Sequence, residues 1–141
     1  MTASIYAFLA KIGFHHPLHP ALTHIPMGMV IGCFFFSALA SISRKPDLLK
    51  SCLHCTMLAL FFMVPTVLAG IMDWQHRYGG EMRSLIVVKM ILAGLLTVLL
   101  LCAAWFNKKG APKKKVIFLY LLCLACAIGL GFSGGELVYG S

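Results

Sequence analysis

The residues best equipped for chemistry crowd into HHPLHPALTH, His15–His24, which holds four of the chain's six histidines. A neutral imidazole can ligate iron, copper or zinc, and near neutral pH it takes up and releases a proton. Two further segments carry groups of the same kind. DWQHRYGGEMR supplies Asp73, Trp74, His76, Arg77 and Glu81, and GGELVYG supplies Glu136. The acids number four in all, too few and too peripheral for hydrolysis. No Ser-His-Asp order, phosphate loop, glycosidase carboxylate pair or zinc-protease helix motif is present. No catalytic residue is therefore assigned, and the sequence leaves open whether the chain is an enzyme.

The elements that position these groups follow from composition. The chain is 60% hydrophobic and 11% charged, against about 25% charged in soluble domains. Ala21–Ser43, Ser51–Met72, Met90–Phe106 and Val116–Gly135 carry no charge, and the third lengthens to Ser84 if Lys89 is admitted. Each run is close to the roughly 20 residues a helix needs to span a bilayer, and each is too long for a barrel strand. The expectation is an all-α membrane protein, one four-helix transmembrane bundle over 1–141, with spans at about 21–43, 51–73, 84–106 and 116–135. The opening MTASIYAFLAKIGF lacks a basic stretch and a cleavage site, so no signal peptide is expected. Ile5, Phe8, Leu9 and Ile12 would share one helical face, which suits a short helix lying at the interface.

The net charge of +8 resides mainly in two loops. Arg44, Lys45 and Lys50 lie between spans one and two, and Lys108, Lys109, Lys113, Lys114 and Lys115 between spans three and four. The other side has only Lys11, Arg77 and Arg83. By the positive-inside rule the lysine-rich loops face the cytoplasm. Both termini then face the periplasm of a bacterial inner membrane. The basic loops read as topology signals and lipid contacts, not as a nucleic-acid surface.

This topology gathers His15, His16, His19, His24, Asp73, Trp74, His76 and Glu136 at one outer mouth, with Lys89 about one turn inside span three. His15-His16 and His19 precede prolines, so an extended or turned segment is expected there. His24 is expected near the first helical turn, deeper and among apolar neighbours. Asp73 and His76 are three apart and share a face if span two continues that far. Lys89 could snorkel outward or pair with Asp73 or Glu136. Taken singly, His15, His16 or His76 is accounted for equally well by solvation at the interface. Taken together, ionisable residues in a bundle mark a site.

His19-Pro20, then His24-Ile25-Pro26 and an apolar span, resembles the opening of domain-of-unknown-function family 2231, a group of small four-helix bacterial membrane proteins. Gly70-Ile71-Met72-Asp73-Trp74 and the C-terminal Gly134-Gly135-Glu136-Leu137-Val138-Tyr139-Gly140 fit the same pattern. The resemblance runs from about His15 to the end. It implies the architecture and a shared polar site. The occurrence of family members near or fused to c-type cytochromes implies redox work. Many members carry a histidine near the start of span three where this chain has Lys89, so a metal site in the family would be altered here.

Three functions suit this constellation. The leading expectation is electron transfer through a b-type haem near the periplasmic face, with His24 and His76 as axial ligands and His19 as the substitute for either. Arg77, Arg83 or Lys89 would meet the propionates. His19, Asp73 and Glu136 would handle protons, and the haem would link a quinol pool to a periplasmic c-type cytochrome. The second is a bare copper, zinc or iron site drawn from His19, His24, Asp73, His76 and Glu136, with Met27 available to copper. The third is a non-catalytic anchor or assembly subunit in a homo- or hetero-oligomer. The cysteines add little. Cys52-Leu53-His54-Cys55 has its histidine between the cysteines, unlike a c-type haem motif. Cys33, Cys102, Cys123 and Cys126 lie within spans as small apolar side chains. Pro65 should kink span two.

Overall fold

A computed structural model describes residues 2–139, and among them there are five helices and no strand. A short helix α1 (Thr2–Lys11) precedes four long ones: α2 (Leu18–Ile42), α3 (Leu48–Arg77), α4 (Ser84–Lys108) and α5 (Lys113–Tyr139). All four long helices are apolar and long enough to cross a membrane. The shorter two, of 25 residues, reach about 37 Å at 1.5 Å per residue, more than the ~30 Å hydrocarbon layer. The chain is thus a multi-pass membrane protein.

The helices form a ring in which α2 packs on α3 and α5, and α4 packs on α5 and α3. The apolar centre consists of Val30, Ala59, Met63, Leu96, Leu100, Cys123, Cys126 and Ala127. A second cluster, Cys33, Cys52, Ala103, Val116 and Tyr120, fills the lysine-rich end. Large apolar side chains also cover the outside, such as Phe61 at 69% exposure and Phe132 at 70%. Only lipid makes such a surface stable, because the same groups in water would drive association.

The helices overrun the sequence-based spans at several ends, three of them at the histidine-bearing face. α2 begins at Leu18, so His19 and Pro20 belong to its first turn and not to an extended segment. Pro20 is tolerated there because a first-turn N–H has no intrahelical acceptor. α3 continues to Arg77, and α5 continues helical through Gly134 and Gly135 to Tyr139. The α3–α4 connection turns tightly through Gly79 and Gly80, at φ 58° and 78°, a backbone region that costs glycine little. Trp74 fixes the same turn, its indole N–H donating to the Glu81 carbonyl at 2.8 Å. At the lysine-rich end, Asn107 donates its side-chain amide to the Leu49 carbonyl at 2.9 Å and ties α4 to α3.

Candidate functional site

The site begins with Asp73, a carboxylate only 6% exposed, near the end of α3. The first N–H groups of any helix lack intrahelical acceptors and carry its positive pole. Pro17, which precedes α2, offers no side-chain cap. Asp73 takes that role from the neighbouring helix. The Leu18 N–H donates to its Oδ1 at 3.3 Å and the His19 N–H to its Oδ2 at 2.8 Å. A third donor, the Tyr6 hydroxyl of α1, also reaches Oδ1.

His19 continues this junction. Its Nδ1 lies 2.9 Å from the Thr66 carbonyl, one turn before Gly70. A carbonyl only accepts, so Nδ1 carries the proton and Nε2 keeps a lone pair when the ring is neutral. The ring reaches that carbonyl across Gly70, where an added methyl would stand 2.9 Å from Nδ1. The Thr66 hydroxyl works in the opposite direction. It donates to Phe62 in its own helix at 2.7 Å and lies 3.4 Å from the Leu22 carbonyl of α2. Pro26, buried inside α2, has no N–H for the carbonyl four residues back, which is Leu22. With its one proton directed mainly to Phe62, the Thr66 hydroxyl gives the Leu22 carbonyl only a weak shared contact in place of the bond that Pro26 removes.

Tyr6 closes the site from outside. Its ring stacks on His76 with centroids 4.1 Å apart and planes 3° from parallel. Asp73 and His76, three apart as expected for one face, both meet this one tyrosine. Burial and the bond to Asp73 push the Tyr6 phenol well above its ordinary range. Arg77 is exposed, with Nη2 donating to the His15 carbonyl at 3.1 Å. Between α1 and this end of α3 lies a cleft of about 230 Å³ lined by Tyr6, Ala10, Phe14, His15, His76 and Arg77.

The remaining expected residues are placed differently. His24 is exposed, not sunk among apolar neighbours, and its Nδ1 donates to the Pro20 carbonyl at 2.7 Å. It follows His19 by five residues, or about 140° around the helix, so the two rings leave α2 on different sides. His15 and His16 are exposed. Lys89 is half-buried and makes no ion pair with Asp73 or Glu136; the two ion pairs among the described residues are Lys50–Asp47 and Arg83–Glu81. Its Nζ packs toward α5, 3.6 Å from where a methyl on Gly134 would stand. Glu136 is exposed. Among the described residues no three His, Cys, Asp or Glu side chains stand where they could share a metal ion. His19, His24, Asp73 and His76 are therefore not assembled into one metal site within the chain. Their polar atoms are engaged otherwise: Asp73 by the Tyr6 hydroxyl and the Leu18 and His19 amides, the His76 ring by stacking on Tyr6, and the rings of His19 and His24 by backbone carbonyls.

Residues 15–141 match the family described as "Predicted membrane protein (DUF2231)". The chain belongs to this family. No curated protein and no solved structure matches it. Within this DUF2231 protein the first two motifs are in direct contact. The His19 amide meets Asp73, and the His19 ring meets Gly70 and the Thr66 carbonyl. The third motif begins with Gly134, against which Lys89 packs. Val138 carries no described side chain, nor does Tyr139, and Gly140 lies outside the described residues. Tyr6 and the rest of α1 precede the matched residues, so closure over Asp73 comes from beyond the family segment. Sequence reasoning missed Tyr6 and Thr66. An aromatic in a short amphipathic helix and a threonine in an apolar span resemble ordinary packing residues. The one available signal was Pro26, which leaves the Leu22 carbonyl without its helical donor.

Proposed function

We propose that this DUF2231 protein is a redox subunit of the bacterial inner membrane that offers one axial imidazole, His24, to a b-type haem held between chains at the periplasmic edge. The observation that carries this reading is the state of His24. The ring is exposed on α2, its Nδ1–H is committed to the Pro20 carbonyl, and Nε2 is left as the ligating nitrogen. Metal-bound histidines characteristically donate their other ring N–H in this way, which fixes tautomer and orientation. The donor set fits one axial ligand and not two. His19 has the same polarity but lies against Gly70 inside the chain. His76 is covered on one face by Tyr6. The bundle is also closed where a flat ring would enter, with methyls on Gly131 and Gly129 falling 3.1 Å from Met27 and 3.3 Å from Leu92. A second ligand would come from another copy or from a partner subunit.

A haem bound there would supply one-electron transfer, in keeping with a place between a quinol pool and periplasmic c-type cytochromes. The chain's own part is to orient the imidazole through Pro20 and hold α2 against α3 through Asp73, His19 and Thr66. The test is to isolate the full chain in mild detergent with any native partner retained. Absorption spectra are recorded oxidised and dithionite-reduced, with metals quantified on the same sample. We expect a Soret band with sharpened reduced α and β bands. His24→Ala should abolish it while the variant still folds as a monodisperse helical bundle, its melting temperature lowered only by the stabilisation that the bound haem supplied. Full haem occupancy in His24→Ala, or folded wild type without haem, would remove the reading. Stoichiometric copper, zinc or iron in place of haem would support an intersubunit metal site. A partner without either would support an anchoring subunit.

A further inference from the structure

We infer that the cleft between α1 and the end of α3 binds the phosphate of an anionic lipid headgroup. The inference is independent of the haem reading and uses different residues. The cleft encloses about 230 Å³, smaller than the roughly 300–1,000 Å³ of pockets for drug-sized ligands, and suited to a headgroup.

Arg77 is the one charged side chain among the residues that line the cleft. Arg77 belongs to neither ion pair among the described residues, and one of its five N–H donors is spent on the His15 carbonyl. That bond holds the guanidinium beside the cleft with its remaining donors free. The exposed imidazoles of His15 and His76 add further donors. The neighbouring acid keeps its charge but forms no ion pair with Arg77. Asp73 is buried behind Tyr6 and already accepts the Tyr6 hydroxyl and the amides of Leu18 and His19. A fixed guanidinium with spare planar donors is the side chain best matched to a phosphate, which it binds bidentately. A neutral ring in the cleft would leave that charge without a counter-ion.

The walls and the position point to a lipid source for the phosphate. Ala10, Phe14 and the Tyr6–His76 stack line the cleft with apolar surface beside the charged groups. The cleft opens where α3 passes out of its apolar stretch, next to α1, whose Ile5 and Phe8 remain exposed, as does Ile12 just beyond it. An apolar helix face left exposed beside a transmembrane bundle belongs at the level of the headgroups. The phosphate would meet Arg77 and the imidazoles, and the glycerol portion would lie along Phe14 and Ala10.

The test uses the full chain in neutral detergent, titrated separately with dihexanoyl phosphatidylglycerol, dihexanoyl phosphatidylcholine and inorganic phosphate. Both lipids carry the phosphodiester, but the choline cation of the zwitterionic one is repelled by Arg77 and competes for that phosphate, so we expect the anionic lipid to bind roughly tenfold more tightly. Arg77→Gln should remove that preference, and Arg77→Lys should keep part of it. Equal affinity for the two lipids, or an undiminished preference in Arg77→Gln, would overturn the proposal. Inorganic phosphate binding as tightly as phosphatidylglycerol would overturn the lipid source and assign the site to the free anion. If Arg77→Gln fails to fold, the wild-type ranking still decides, with His76→Gln as the second variant.

Discussion

Gly70 sets how closely the His19 ring can approach α3. At most positions in an exposed helix interior, glycine to alanine is neutral or stabilising, because alanine is the better helix former. Here the added methyl would meet Nδ1 at 2.9 Å and the next ring atom at 3.2 Å. The ring cannot move aside freely, since its nitrogen is held by the Thr66 carbonyl and its own amide by Asp73. Gly70→Ala should therefore destabilise the bundle by about 1–3 kcal/mol, the usual cost of overpacking. Gly94→Ala, where nothing lies within 4 Å, should cost nothing. Thermal unfolding of both variants in one detergent checks the pair, and equal melting temperatures would show that His19 is free to shift. The sequence made Gly70 and Asp73 visible as a motif and His19 as a candidate ligand. It did not show that each is the other's packing partner, because a contact between helices depends on rotation about their axes, which hydropathy leaves undetermined.

At the scale of elements, the four spans were legible because lipid demands long uncharged helices and nothing else in the sequence resembles them. Their ends were less so. The start of α2 moves to Leu18 because Asp73, 55 residues away in the chain, caps it, and no local signal could report that. The apolar face of α1 was also legible. What its other face holds was not, since Tyr6 joins Asp73 and His76 only once α3 extends past its apolar stretch. Docking of α1 is consequently sensitive to base. The bound Tyr6 phenol has a raised pKa, chiefly from burial and then from Asp73. The undocked phenol ionises near its ordinary value of about 10. Between the two values the undocked state has released its proton and the docked state has not, so docking weakens as pH rises. The stabilisation is complete below about pH 10 and is lost as pH climbs through the bound phenol's range. Amide exchange in α1 should stay constant through neutral pH, once corrected for intrinsic rates, and accelerate in strong base. Tyr6→Phe should be loosened at all pH values and show no such transition. A transition that persisted in Tyr6→Phe would place the titrating group elsewhere.

Across the whole molecule, two polar clusters are kept apart. One is the Asp73, His19 and Thr66 junction at the histidine-bearing end. The other lies toward the lysine-rich end, where the Thr56 hydroxyl donates to the Cys52 carbonyl at 2.8 Å and Tyr120 meets Thr56 at 2.8 Å. Cys33 and Cys52 each lie against the other's backbone carbonyl there. Between the clusters stands the apolar layer built on Val30, Ala59, Met63, Leu96 and Leu100. Val30 lies eleven residues beyond His19, roughly 16 Å along α2. A proton crossing that layer would need water or a titratable side chain, and the layer's lining offers only apolar atoms and two free thiols, Cys123 and Cys126. Proton exchange at the Asp73 and His19 end should thus stay on one side of the membrane. Proteoliposomes with a pH dye sealed inside test this directly. After an external acid pulse the interior should acidify no faster than in empty vesicles. A faster leak abolished by Asp73→Asn would mean that the two clusters are joined through the layer, whereas a leak indifferent to that substitution would arise from the lipid or the reconstitution and leave the separation intact.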